Sequence, residues 1–227
     1  MDNTTGFDLS KVIDDAKAVI TNPVDFYRNM QKSGGFVEPV IFVIVMAFIA
    51  AIIFTLFSLF GGGRMAAAGI SALIVVPIMM LIGSFVSAAI LFVIWKLMGS
   101  ENNYETAYRC VAYSMGILPV TAVLTMIPYL GSIVPVLWGA YLMWIASTEV
   151  HGLNQQTAMI VFGILAFIGV IVNLSGERTA RNMEQHMGKF EQQMGKSLEN
   201  MEDMTPEEAG KAFGEFMRGM EEATQGK

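Results

Sequence analysis

Between Cys110 and Thr148 the chain has no Asp, Glu, Lys or Arg. Residues 37–176 carry only seven charges: Glu38, Arg64, Lys96, Glu101, Glu105, Arg109 and Glu149. Nine lie in residues 1–36 and eighteen in 177–227. Soluble domains are about 25% charged; this chain is 15% charged and 54% hydrophobic. The shortage excludes a water-facing middle section and makes hydrocarbon its solvent, because apolar runs of this length read as membrane helices. Other scarcities narrow the class further. One cysteine, Cys110, excludes an intramolecular disulfide and a cysteine-based zinc cluster. A net charge of −6 excludes the basic stripe that nucleic-acid binding needs. The first residues, MDNTTGFDLSKVIDD, lack the basic start of a cleavable signal peptide.

What remains is an all-α pattern: five membrane spans, an amphipathic arm before them and a helical tail after them. The organisation expected is an arm at 1–35, a membrane domain at 36–176 and a soluble tail at 177–227. In the arm, Leu9, Val12, Ile13, Ala16 and Ile20 recur at helical spacing opposite Lys11, Asp14, Asp15 and Lys17, with Asp8 or Ser10 as cap. Asn22-Pro23 starts a second short helix, capped by Asn22, that presents Val24, Tyr27 and Met30 or Phe26 to an apolar surface. The arm either packs on the protein's own loops or lies flat on the bilayer. Gly34-Gly35 breaks it from the first span.

The spans are expected at 37–60, 72–97, 106–127, 131–149 and 155–174, with 65–71 as a loop or interfacial turn. Trp95-Lys96 should mark an interface. "MIPYLGSIVP", Met126 to Pro135, reverses the chain between the third and fourth spans. Thr121, Thr125 and Ser132 could satisfy the carbonyls that Pro119 and Pro135 free. Pairs of small residues four apart, Ala47/Ala51, Gly83/Ser87, Ser84/Ala88 and Ala112/Gly116, allow close helix approach. Five spans put the two ends on opposite sides, and Lys17, Arg28, Lys32, Lys96 and Arg109 on the N-terminal side favour a cytoplasmic N-terminus. In the tail, "EQHMGKF" and "EQQMGKS" repeat with a period of seven. Met183, Met187, Phe190, Met194 and Met201 form a weak heptad seam suited to self-association, and "TPEE" at 205–208 starts another helix.

No catalytic constellation is visible, so no enzyme activity, cofactor or metal is expected. His151 and Glu149 fit an interfacial span end, and Cys110, with no histidine near it in sequence, fits a structural thiol. Methionine pairs such as Met183/Met187 have the spacing of a Cu(I) site, but any apolar stripe has it too. The richest polar cluster is NYETAYRCVAYS at 103–114. Glu105 and Arg109 are spaced for an i,i+4 ion pair. Tyr104, Tyr108 and Tyr113 are spaced either for an interfacial aromatic belt or for a face that contacts a partner or lipid headgroups.

This cluster resembles the Yip family of Ypt/Rab-interacting membrane proteins. The likeness rests on "AYRCVAYSMGILPV", "IPYLGSIVPVLWGAYLMWIASTEVHGLNQQTA" and the upstream "NPVDFYRNMQKSGGFVEPVIF", over roughly 22–175. The motif positions are Tyr113, Pro119, Pro128, Gly131, Gly152 and Leu153. The resemblance implies a five-span bundle with a cytosolic N-terminal region and, in eukaryotic relatives, association with small GTPases and vesicle membranes. The overall character suits a prokaryotic member, in the cytoplasmic membrane. The expected function is a non-enzymatic membrane organiser or partner-recruiting scaffold, bathed in lipid, self-associating through spans and tail, with a protein partner at the arm. The alternative is an oligomeric channel or transporter, motivated by Pro77, Pro119 and Pro135, since interrupted helices often line solute sites.

Overall fold

The computed structural model describes residues 8–61, 63–125, 127, 129–202, 210, 211, 214 and 218. Among these there is no strand. Eight α-helices follow in order: α1 (Leu9–Thr21), α2 (Pro23–Asn29), α3 (Val37–Ser58), α4 (Gly63–Leu97), α5 (Tyr104–Ser114), α6 (Leu118–Leu124), α7 (Leu130–Glu149) and α8 (Gln155–Glu202). The chain divides into two compact units, Met1–Ser175 and Gly176–Lys227. Five stretches are long and apolar enough to cross a bilayer: Val37–Ser58, Ala68–Leu97, Tyr104–Leu124, Leu130–Glu149 and Gln155–Phe190. Large apolar side chains along α4 and α8 stay exposed, among them Ile74, Ile78, Ile82, Ile160, Ile164 and Phe167. In water such surfaces would collapse together, whereas lipid wets them at no cost.

The third span occupies the centre. Of its most apolar stretch 61% is buried in protein, against 11% for the second and fifth spans. Eight consecutive residues of α5, Thr106 to Tyr113, are buried. A helix shows one face to each neighbour, so burial on every side requires walls all round. Here α3, α4 and α7 supply three of them, and α1 and α2 supply the rest.

Several local expectations are corrected. Residues 65–71 are not a loop, since α4 begins at Gly63. Gly69 lets α4 press on α3: a Cβ there would overlap the Ser58 side chain and lie 3.2 Å from Thr55 Cα. The Thr55 hydroxyl sits 2.7 Å from the carbonyls of both Ala51 and Gly69, fastening the hairpin. The third span is not one helix either, because a 3-10 turn at Met115–Ile117 divides α5 from α6. Pro119 enters at the start of α6, where a missing N–H costs little. The Met115 carbonyl, which a continuous helix would have left to residue 119, takes the Leu118 N–H instead. Thr121, Thr125 and Ser132 therefore bond the carbonyls of Leu118, Ala122 and Tyr129, not those the prolines free.

The arm differs as well. Asp8 caps α1, but Asn22 donates to Asp25 at 2.7 Å instead of capping α2. Leu9 and Ile13 are exposed, and the buried face of α1 is Val12, Ala16 and Val19. Trp95 lies at the end of the second span, two residues before Leu97, but its ring is fully buried in protein. The small pairs divide by environment. Ala47/Ala51 and Ser84/Ala88 are buried, and Ala112/Gly116 faces α1, where a Cβ on Gly116 would come 2.8 Å from Val19. Around Gly83, by contrast, a Cβ would meet only open space.

Candidate functional site

The short connector between α2 and α3 folds where it does because of two glycines. Gly34 and Gly35 take φ of +131° and +86°, conformations that side chains rarely allow. That path turns the connector's backbone toward α5, and three α5 side chains seize it. Arg109 donates from Nε to the Gln31 carbonyl at 2.7 Å and from Nη1 to the Gly35 carbonyl at 2.8 Å. Its Nη2 reaches Glu38, in the first turn of α3, at 3.0 Å. The Thr106 hydroxyl donates to the Lys32 carbonyl at 3.0 Å, and the Gly35 N–H donates to Glu105 at 2.7 Å. Glu38 also pairs with Lys11 of α1 at 3.0 Å.

The Gly34-Gly35 break is therefore the point at which the arm is fastened to the spans. The expected Glu105–Arg109 ion pair is replaced: each residue spends its charge on the connector. Arg109 is also no surface group, being 1% exposed. A planar fork with several donors suits this task, since one buried cation satisfies three separated acceptors, two on the connector and one on α3.

The tyrosines do not form a lipid-facing belt. Tyr108 is fully buried, stacked on Phe85 at 4.3 Å, with its hydroxyl 3.3 Å from Ser84. The Tyr104 hydroxyl donates to the Phe85 carbonyl at 2.9 Å. Tyr113 packs edge-on against Phe26 of α2 and Phe42 of α3. Tyr27, from the arm, donates its hydroxyl to the Cys110 carbonyl at 3.0 Å.

A second polar cluster lies where the α4–α5 and α7–α8 connectors meet. His151 is buried, stacked on Trp95 at 4.1 Å, with Nδ1 2.7 Å from the Ser100 hydroxyl. Its Nε2 lies 3.9 Å from Cys110 Sγ, so the fold supplies the neighbour that Cys110 lacks in sequence. Trp95 donates to Ser147 at 2.8 Å. Lys32 and Asn102 both donate to the Val150 carbonyl, at 2.7 and 3.0 Å. Burial lowers the His151 pKa to about 4, with Lys32 and Lys96 adding to the effect, so the ring is neutral at pH 7. His151 is thus an interior pin and not an interfacial residue. Glu149 faces outward and pairs with Arg28 of α2 at 2.9 Å. Among the described residues no group of three or more His, Cys, Asp and Glu could hold a metal.

The remaining motif positions serve geometry. A Cβ on Gly131 would come 2.6 Å from Thr125 Cα, so the α6–α7 reversal admits only glycine at this spacing. Gly152 has φ +64°, and Leu153 donates its N–H back to the Ser147 carbonyl at 2.9 Å, closing the end of α7. Pro128 lies outside the described residues. Met183, Met187 and Phe190 are exposed on α8. Met194 and Met201 fall within the same helix, but their side chains lie outside the described set. Sequence reasoning missed Lys32, Ser100, Asn102 and Ser147. Lys32, Ser100 and Asn102 lie in connectors and Ser147 inside the fourth span, and only the fold says which carbonyl or ring each meets.

The Yip1 domain family model matches residues 17–175. The match takes in α2, the fastened connector and the first four spans, and it ends where the first compact unit ends. No curated protein and no solved structure matches the chain. With its five apolar helices and this match over most of its length, the chain is an integral membrane protein that belongs to the Yip1 domain family.

Proposed function

We propose that the chain is a non-enzymatic membrane scaffold that holds its N-terminal arm in a fixed pose as the docking element for a protein partner. One observation carries this reading. The polar side chains at the mouth of the central span, Glu105, Thr106 and Arg109, are committed to fastening residues 31–38 and not to lining a path. A site for turnover or transport would keep such groups available to a solute. A scaffold uses them to remove the freedom of the element it displays, which lowers the entropy cost of binding. The outer face of the arm offers exposed Leu9, Ile13, Asp14, Lys17 and Asp25.

In this reading the N-terminal side is cytoplasmic, residues 1–35 recruit, 36–176 anchor, and 177–227 assemble copies of the chain. Self-association uses the open Gly83/Ser87 face of α4 and the Met183, Met187 and Phe190 seam. Tyr104, Tyr108 and Tyr113 support the arm from beneath; Pro119, Gly131, Gly152 and Leu153 shape the hairpin ends.

The test is site-specific photo-cross-linking in native membranes. A probe at Ile13 or Asp25 should capture a protein that a probe at Ile82 on α4 does not, and capture should fall in Arg109→Met. Equal capture from both faces would sink the arm as a docking element. The channel or transporter alternative is tested in proteoliposomes. Solute or ion flux abolished by Pro119→Ala or Thr121→Val would replace the scaffold reading.

A further inference from the structure

Beside the Arg109 clamp the arm leaves a pocket of about 300 Å³, lined by Lys11, Asp15, Phe26, Glu38, Arg109 and Tyr113 among others. Its depth follows from its walls. Glu38 lies in the first turn of the first span and Arg109 in the second turn of the third, so the pocket sits at the level of the bilayer headgroups. Its formal charge is balanced, with Lys11 and Arg109 against Asp15 and Glu38. Three of the four are engaged, since Glu38 bridges Lys11 and Arg109 at 3.0 Å each. Asp15 and Tyr113 are not. Neither the Asp15 carboxylate nor the Tyr113 hydroxyl has a hydrogen-bond partner among the described residues, although Tyr113 is only 6% exposed.

The Tyr113 ring is buried, but its hydroxyl opens to the pocket and is free to bond an occupant. Asp15 opens to it as well: burial raises its pKa, and Lys11 only partly offsets this. Phe26 stands edge-on to Tyr113 with centroids 5.2 Å apart, so the free acceptors open beside aromatic walls. An occupant that satisfies them must bring N–H donors with positive charge. It must also carry an anion, because once its ammonium takes Asp15, Lys11 and Arg109 are left sharing the one carboxylate of Glu38. A primary ammonium joined to a phosphodiester meets both demands, and aminophospholipids present that pair at this depth.

We propose that this pocket binds the headgroup of a zwitterionic aminophospholipid, its ammonium on Asp15 and the Tyr113 hydroxyl and its phosphodiester facing Lys11. A trimethylammonium headgroup has no N–H to donate and fits less well. An anionic headgroup without an amine leaves Asp15 and Tyr113 unsatisfied.

The test uses the full chain in nanodiscs of phosphatidylethanolamine mixed with phosphatidylcholine and phosphatidylglycerol. Lipid retained after mild detergent extraction is read by native mass spectrometry. Phosphatidylethanolamine should be enriched over both competitors. Asp15→Asn and Tyr113→Phe should each lower that enrichment by roughly tenfold, the worth of one charge-assisted hydrogen bond. Asp14→Asn, an exposed neighbour paired with Lys17, should leave it unchanged. Melting temperatures identify variants that fail to fold, and the more conservative Asp15→Glu should restore part of the preference. Retention without headgroup preference, or a folded Asp15→Asn that keeps the preference, overturns the proposal. Displacement of the lipid by millimolar glycerophosphoethanolamine overturns the membrane as the source and assigns the pocket to a soluble amine phosphate.

Discussion

Arg109 joins the arm's connector, the first span and the third span through three bonds from one guanidinium. Lysine carries the same charge but cannot point donors at three separated acceptors. Arg109→Lys should therefore lower stability by about 2 kcal/mol, because at least one acceptor goes unmet; thermal unfolding in detergent measures this. His151 makes a prediction of opposite character, since it stabilises by staying neutral. Its folded pKa is near 4 against an ordinary value of 6.5. Between those limits the unfolded chain binds more protons, so stability is full above pH 6.5 and falls as pH drops toward 4. The melting temperature of the wild type should decline across that window, and the slope should flatten in His151→Gln. Equal slopes in the two proteins would show that another group dominates the acid response. The environment that lowers this pKa is assembled from distant segments: Trp95 in α4, Ser100 after it and Lys32 from the arm. Only the type of residue 151 is legible in sequence.

At the level of elements, small residues decide which helices approach closely. Gly69 against Ser58 and Thr55, and Gly116 against Val19 and Ala16, are both contacts at which a Cβ already crowds its neighbours. Gly69→Leu should prevent closure of the α3–α4 hairpin and reduce the yield of folded protein in membranes. Gly116→Leu should act more selectively. It pushes α1 away from the third span at an overpacking cost of about 1–3 kcal/mol, so protease should cut the arm faster while the spans stay protected. Gly83→Leu serves as the contrast, because nothing within 4 Å would meet the added Cβ; folding of the single chain should be unaffected. The sequence pattern marks all these positions as small-residue pairs without ranking them. Whether a glycine faces a helix or a lipid depends on the rotation of its helix within the bundle, which periodicity alone leaves free.

At the scale of the whole molecule, the arm and the spans form one compact unit, and residues 176–227 form another. If the second unit assembles copies of the chain, deletion of 177–227 should reduce the number of protomers per particle, read from the detergent-corrected mass divided by the mass of the shortened chain. An unchanged number would remove the tail from assembly and leave the Gly83/Ser87 face as the remaining candidate. The same truncation should leave phosphatidylethanolamine retention intact, because every wall of that pocket lies in residues 11–113.

The distribution of charge pointed by itself to five stretches that cross lipid, because an ionised group in hydrocarbon costs several kcal/mol and the chain avoids placing one there. The local chemistry of Asn22-Pro23 and Gly34-Gly35 likewise marked breaks between helices, since φ preferences act within a few residues. The tertiary structure alone decided that α5 is the central helix, that Arg109 faces inward to the arm, and that Cys110 meets His151. Those outcomes depend on which faces of separate helices meet. In lipid that choice is set by shape and hydrogen bonding over long sequence separations, and no local pattern encodes it.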